Sequence, residues 1–195
     1  MNDTEIENQE SLENVFERCD NPSEAWNSRV ARKILSSTNA DWIFSLRHWS
    51  IFITLTFRDE RPPDIAKSLF EKLIKSLNEN AFGKHYTKIV GHSYFSYVRA
   101  MEYQKRDVVH FHVMVDQPVN FERIHTLWNS WAGFAHTDII KDKNDVVNYV
   151  CKYIVKGGEI YPFLAKKEFT PKVLPYWWKL AETKMEGKQD EKTIS

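Results

Sequence analysis

The chain has 195 residues, 42% of them hydrophobic and 14% aromatic, which suits one domain with a substantial core and excludes disordered, collagen-like and coiled-coil classes. Its formal net charge of zero hides an asymmetry: residues 1–25 carry eight Asp/Glu against Arg18 alone, a balance of −7, and the remainder carries 26 Lys/Arg against 19 Asp/Glu, a balance of +7. No apolar run is long enough to span a bilayer, the acidic start is unlike a signal peptide, and Cys19 and Cys151 alone build neither a disulfide framework nor a structural zinc site.

The expectation is therefore a protein of a reducing cytoplasm with no membrane partner. A moderately basic body suits a polyanion. The acidic segment is either a solubilising tail or a regulatory one. Residues 1–20 lack periodicity and read as disordered, so 1–22 form an N-terminal segment ahead of a single domain over 23–182. Asn21-Pro22-Ser23 resembles a helix start, and the amphipathic run that follows extends to Ile34-Leu35 before Ser36 to Asn39 breaks it. Trp42-Ile43-Phe44 and Trp49 are apolar without a regular period.

Ile51 to Phe57 alternates as a strand, with Ile51, Ile53, Leu55 and Phe57 on one face and Thr54 and Thr56 on the other. Arg61-Pro62-Pro63 closes it and Asp64 is placed to cap a helix. Ile65, Leu69, Phe70, Leu73, Ile74 and Leu77 make the stripe of that helix, which Gly83 ends after Phe82. Ser93 to Tyr103 alternates again and ends in Met101-Glu102-Tyr103. After the polar turn Gln104 to Asp107, Val108 to Asp116 reads as a third strand. Val109, Phe111, Val113 and Val115 form its apolar face, and His110, His112 and Met114 point the other way. Residues 121–132 form a helix with Ile124, Leu127, Trp128 and Trp131 inward, and Phe134 to Ile140 is a fourth strand. Asp142 or Asn144 caps a last helix, Asp145 to Lys156, stopped by Gly157-Gly158. The order β-α-β-β-α-β followed by a helix predicts an α+β fold with a ferredoxin-like (split βαβ) antiparallel sheet. Residues 183–195 read as a charged, frayed tail.

Two imidazoles at i, i+2 on a strand lie roughly 6–7 Å apart at Cα, close enough to share a divalent ion. A hairpin with a three-residue loop, Lys105 to Asp107, opposes Glu102 to His110 and Ala100 to His112. A two-residue loop instead opposes Glu102 to Phe111 on the core face. The odd-numbered loop keeps the apolar faces matched. Two histidines and a carboxylate leave open coordination positions suited to Mg2+ or Mn2+ holding a phosphate oxygen, with Zn2+ the alternative. In the last helix, Tyr149, Lys152, Tyr153 and Lys156 fall within roughly a 100° arc at about 100° per residue. Val147, Val150, Cys151, Ile154 and Val155 take the opposite side. That polar face is either a solvated surface or a pair of phenols flanked by ammonium groups at a phosphate. A phenol has a pKa near 10 and needs a polarised partner to act as nucleophile. No G-x-x-x-x-G-K-[ST] loop is present, so no nucleotide cofactor is expected.

Over about Ile51 to Gly158, the sequence resembles the HUH endonucleases in their rolling-circle replication initiator branch. Phe52-Ile53-Thr54-Leu55-Thr56-Phe57 is similar to the first motif of that family. His110-Phe111-His112 matches the His-hydrophobic-His motif, and Tyr149-Val150-Cys151-Lys152-Tyr153-Ile154-Val155-Lys156 matches the tyrosine motif with Y-x-x-K present twice. Relaxases usually carry three histidines and an earlier tyrosine, whereas here the tyrosines follow the histidines. The resemblance implies His110, His112 and Glu102 as metal ligands, Tyr149 and Tyr153 as nucleophiles, and Lys152 and Lys156 as electrostatic helpers. It implies nicking of single-stranded origin DNA with a 5′-phosphotyrosine link and a free 3′-OH, in a prokaryotic host that supplies helicase and polymerase for a plasmid or virus. A transposase of the same superfamily and a non-catalytic single-strand-binding regulator are the alternatives.

Thr54 and Thr56 would line the DNA side of such a sheet or form an ordinary solvated face. Lys166, Lys167 and Lys172 would contact phosphates or simply be surface lysines. In Pro175-Tyr176-Trp177-Trp178-Lys179, at least one tryptophan is expected in the core, with base stacking the alternative. His136 and Asp138 share a strand face without a partner spacing that recommends them as ligands, and His125 belongs to an amphipathic helix.

Overall fold

The alternating runs pair as their apolar faces require. In the computed structural model, which describes Thr38 and residues 41–103, 108–140 and 159–186, five strands form one sheet: β1 (Ile51–Phe57), β2 (Tyr97–Tyr103), β3 (Val109–Val115), β4 (Gly133–Ile139) and β5 (Glu159–Phe163). Their order is β4-β1-β3-β2-β5, and every neighbouring pair is antiparallel. Helix α1 (Pro63–Phe82) and the short α2 (Thr87–Val90) join β1 to β2, α3 (Phe121–Trp131) joins β3 to β4, and α4 (Tyr176–Glu186) follows β5. The first four strands with α1 and α3 form the expected split βαβ arrangement.

Odd-numbered residues of β1 and β3 face the helices. Ile51, Ile53, Leu55 and Phe57 meet Val109, Phe111, Val113 and Val115 in one core with Phe70, Leu73, Ile74 and Leu77 of α1, Ile124 and Trp128 of α3, and Trp178 of α4. Trp128 also donates its indole N–H to the Thr56 carbonyl at 3.0 Å. Helix α1 differs from expectation in two respects. Its buried apolar stripe is Ala66, Phe70, Leu73, Ile74 and Leu77, while Ile65 is 51% exposed because the stripe begins one residue later. Pro62, not Asp64, is the N-cap, with Pro63 at the first helical position, so Asp64 contributes charge to the first turn and caps nothing. Gly83 ends the helix as expected, at φ 78°, donating its N–H to the Glu79 carbonyl at 2.9 Å.

The irregular apolar stretch before β1 covers one end of the opposite sheet face. Residues 41–46 are helical, and Ile43 and Trp49 bury against Phe52, Val98, Ala100 and Met114. The Trp49 indole N–H donates to the Ile43 carbonyl at 2.8 Å, which satisfies a buried polar atom and closes the cover on itself. Their lack of period follows from packing as a cap and not as a face.

Strand β5 and helix α4 extend the expected order. Pro162 pairs with Val98 from the outer edge of the sheet, where a missing N–H is tolerated. Helix α4 runs to Glu186, beyond the start of the expected frayed tail, because Trp178 and Ala181 anchor it in the core. Beside β5 the otherwise apolar layer accommodates Arg99, whose guanidinium lies 5.1 Å from the Phe70 ring centroid and 5.3 Å from those of Phe111 and Tyr161. Glu159 approaches it at 3.5 Å and also meets Lys67 at 2.7 Å. Ring faces and a carboxylate replace the water this cation loses. The N-terminal segment 1–22, the expected helix from Asn21-Pro22-Ser23, the turn Gln104 to Asp107, and the helix Asp145 to Lys156 with Gly157-Gly158 lie outside the described residues.

Candidate functional site

Antiparallel pairing aligns the even-numbered residues of four strands into rows across the face opposite α1 and α3. One row reads Glu102, His110, Thr56, Phe134 from β2 to β4, and the next reads Ala100, His112, Thr54, His136. A third, Val98, Met114, Phe52, Asp138, lies towards the covered end. Glu102 is thus opposite His110, the register expected from the three-residue loop.

Both imidazoles are held from the same side. Thr56 Oγ1 lies 3.1 Å from His110 Nδ1, and Thr54 Oγ1 lies 3.3 Å from His112 Nδ1. Each threonine sits directly across the β1–β3 ladder from the histidine it meets. The His112 ring stacks on Phe52 at 5.8 Å with 15° between planes. Its Nε2 lies 3.5 Å from Glu102 Oε2, so the carboxylate reaches diagonally past its Cα partner to the second histidine. Ala100, opposite His112, leaves room for that diagonal.

These groups are almost enclosed: His110 and His112 are 5% and 6% exposed. Burial pushes the His110 pKa below its ordinary 6.5 and favours the neutral ring, the form that donates a lone pair. The donor set of two imidazole nitrogens and a carboxylate fits a divalent ion by chemistry. Their placement is looser than a finished metal cage, since no three His, Cys, Asp or Glu side chains among the described residues converge as a metal-holding group.

Other expected site residues are distributed differently. Thr54 and Thr56 are partly buried against the imidazoles, so neither of them is simply a solvated strand face. Lys166 and Lys167 are exposed after β5. Lys167 lies 4.9 Å from the Phe169 ring centroid, and Phe169 packs on the helix-side core, so this lysine belongs to the layer opposite the histidines. Trp178 is buried and donates its indole N–H to Glu182 at 2.7 Å, whereas Tyr176 is 83% exposed. Tyr149, Lys152, Tyr153 and Lys156 lie outside the described residues.

His136 and Asp138 share the face of the paired histidines, and Phe134 joins them there at 60% exposure. Sequence reasoning singles out no role for Phe134. Its alternation with Gly133 and Ala135 is visible, but only the β1–β4 register places it in the row of His110. Gly133 makes that register possible: a Cβ there would stand 2.2 Å from the Thr56 carbonyl oxygen and 2.6 Å from the Arg58 nitrogen.

A family model described as a replication-associated protein of the ORF2 type matches residues 50–158. Neither the curated proteins nor the solved structures contain a match. Among the described residues no helix is long and apolar enough to cross a membrane.

Proposed function

The chain belongs to the ORF2-type family of replication-associated proteins, which supports a replication-initiator role, and on that premise we propose that it starts replication by nicking single-stranded origin DNA through a tyrosine. The observation that carries this reading is the pair of threonine-held imidazoles, His110 and His112, with Glu102 3.5 Å from His112. That arrangement occupies the same matched segment as the doubled Y-x-x-K sequence.

His110, His112 and Glu102 would hold Mg2+ or Mn2+, which when bound withdraws charge from a phosphate oxygen. The threonine contacts suit that task. With Nδ1 protonated and donating to Thr56 or Thr54, each ring keeps its Nε2 lone pair for a ligand. Tyr149 or Tyr153 attacks the scissile phosphorus, forming a Tyr O–P bond as the P–O3′ bond breaks. The phenolic proton is lost and the departing 3′-oxygen gains one, so the products are a 5′-phosphotyrosine link and a free 3′-OH. Lys152 and Lys156 offset phenolate and phosphate charge in that step. The phosphodiester-type bond is conserved, so the second tyrosine or a 3′-OH can later accept the strand without a nucleotide cofactor.

Incubation of the full chain with Mn2+ and a random-sequence pool of single-stranded oligonucleotides tests the reaction. A 3′ label should travel with the protein through denaturing electrophoresis, while a 5′ label should appear on shortened free strands. The Tyr149→Phe/Tyr153→Phe double variant should lose the adduct; an adduct that survives it overturns the mechanism. Oligonucleotide binding without any adduct would instead favour a non-catalytic regulator.

A further inference from the structure

An exposed phenylalanine in the middle of a polar row needs an explanation. Phe134 belongs to edge strand β4 and is 60% exposed, while its strand neighbours Gly133 and Ala135 are buried. It stands opposite Thr56, which contacts His110, so one line of adjacent strands carries Glu102, His110, Thr56 and Phe134. With strands about 4.8 Å apart, the ring is rooted about 10 Å from the His110 backbone. His136 offers a second exposed flat side chain one pair further along β4.

The surrounding charge is uneven in a useful direction. Arg58 follows β1 directly and is exposed at the end of the sheet where Phe134 lies. It donates to the Asn129 carbonyl at 3.2 Å, which fixes the guanidinium close to the start of β4. Asp138 is exposed two positions beyond His136, towards the covered end. An anionic chain leaving the histidines along β4 meets a cation and an aromatic face at one end and a carboxylate at the other.

We propose that Phe134 is a base-stacking platform, holding one nucleobase of a single strand as its backbone passes from the His110 and His112 row over the β4 edge towards Arg58. The proposal rests on single-stranded DNA being the substrate, and it adds the residue that grips a base beside the reacting phosphate. A stacked base needs a π face and no sequence-specific hydrogen bond, so this contact is tolerant of sequence. It orients the strand while the polar groups act on the phosphate. Gly133 belongs to the same device, because its missing Cβ lets β4 lie flush against the Thr56 carbonyl.

The test is fluorescence anisotropy with the full chain in EDTA, which removes any metal contribution. Two probes are compared: an oligothymidylate about twenty nucleotides long, longer than the site sizes usual for such surfaces, and an equally long abasic strand. Wild-type protein should prefer the base-bearing probe. Phe134→Ala and Phe134→Ile should lose about 5- to 100-fold in oligothymidylate affinity with abasic binding unchanged, and Phe134→Tyr should restore it. Ile keeps strand propensity, so its loss would reflect the ring and not the fold. A preference that survives both ring-less variants, or an equal loss for both probes, overturns the platform. Wild-type protein that binds neither probe overturns it together with the single-strand reading. Ring-dependent binding in a protein that forms no covalent adduct would sink the nicking mechanism alone.

Discussion

Thr56 Oγ1 lies 3.1 Å from His110 Nδ1 because β1 and β3 pair antiparallel with these two residues directly opposed. The hydroxyl fixes both the orientation of the ring and which nitrogen it presents. Thr54 repeats the relation with His112 at 3.3 Å. Replacing both by valine keeps strand propensity and shape while removing the partner atoms. The Thr54→Val/Thr56→Val variant should remain folded and bind Mn2+ about 10- to 100-fold more weakly, measured by calorimetric titration. Wild-type affinity in the variant would show that the hydroxyls do not tune the imidazoles.

Glu102 Oε2 at 3.5 Å from His112 Nε2 is placed to complete a ligand set once a cation draws the groups together. Glu102→Gln preserves size but loses the negative charge. It should reduce Mn2+ affinity at least about tenfold, by analogy with the loss of a supporting carboxylate, and reduce adduct formation with it. Adding excess Mn2+ should recover part of the adduct, and a variant insensitive to metal concentration would count against a ligand role.

Gly133 allows no side chain. Its hypothetical Cβ would lie 2.2, 2.6 and 2.9 Å from backbone atoms of Thr56, Arg58 and Phe57, none of which is a flexible side-chain end. Gly133→Ala should therefore force the β1–β4 ladder apart and cost about 1–3 kcal/mol, the usual range for overpacking. Urea unfolding monitored by tryptophan fluorescence reads this directly.

Phe111 separates the two histidines in sequence but faces the other layer, fully buried against Phe57 and Phe70. Phe111→Ala should cost about 3–5 kcal/mol through a cavity beneath the site strand. Because the histidines lie on the opposite face, protein that remains folded should lose stability more than metal affinity.

Burial lowers the pKa of His110 and His125 below 6.5, and for His125 the charges of His136 and Lys184 add to burial. Unfolded chains therefore bind more protons at these positions than folded ones. The associated stability is present above 6.5 and is lost as pH falls through the lower folded values. Thermal midpoints should rise from mildly acidic to neutral pH, and His125→Gln should flatten part of that rise. Its present partner, Thr137 Oγ1 at 3.1 Å, can pair with the amide.

The strands carrying the site are legible in the sequence because their apolar residues recur with period two, and burial on one face leaves little freedom in register. Matching those faces is enough to put Glu102 opposite His110. The carboxylate's diagonal reach to His112 is not legible, since it depends on side-chain rotamers and on the space left by Ala100. The cover formed by Ile43 and Trp49 is obscure for a related reason: it packs with a bent backbone and offers no repeating face.

By itself, the sequence determined the alternation of strands and helices, the expected split βαβ sheet, and the clustering of two histidines and a carboxylate on one hairpin. These follow from local periodicity and short-range pairing. Only the tertiary structure decided that Thr54 and Thr56 meet the imidazoles, that Phe134 and His136 share their face, and that Lys167 belongs to the other layer. Those relations depend on which non-adjacent strands pair and in what register, a choice made by the whole core through contacts far apart in the chain.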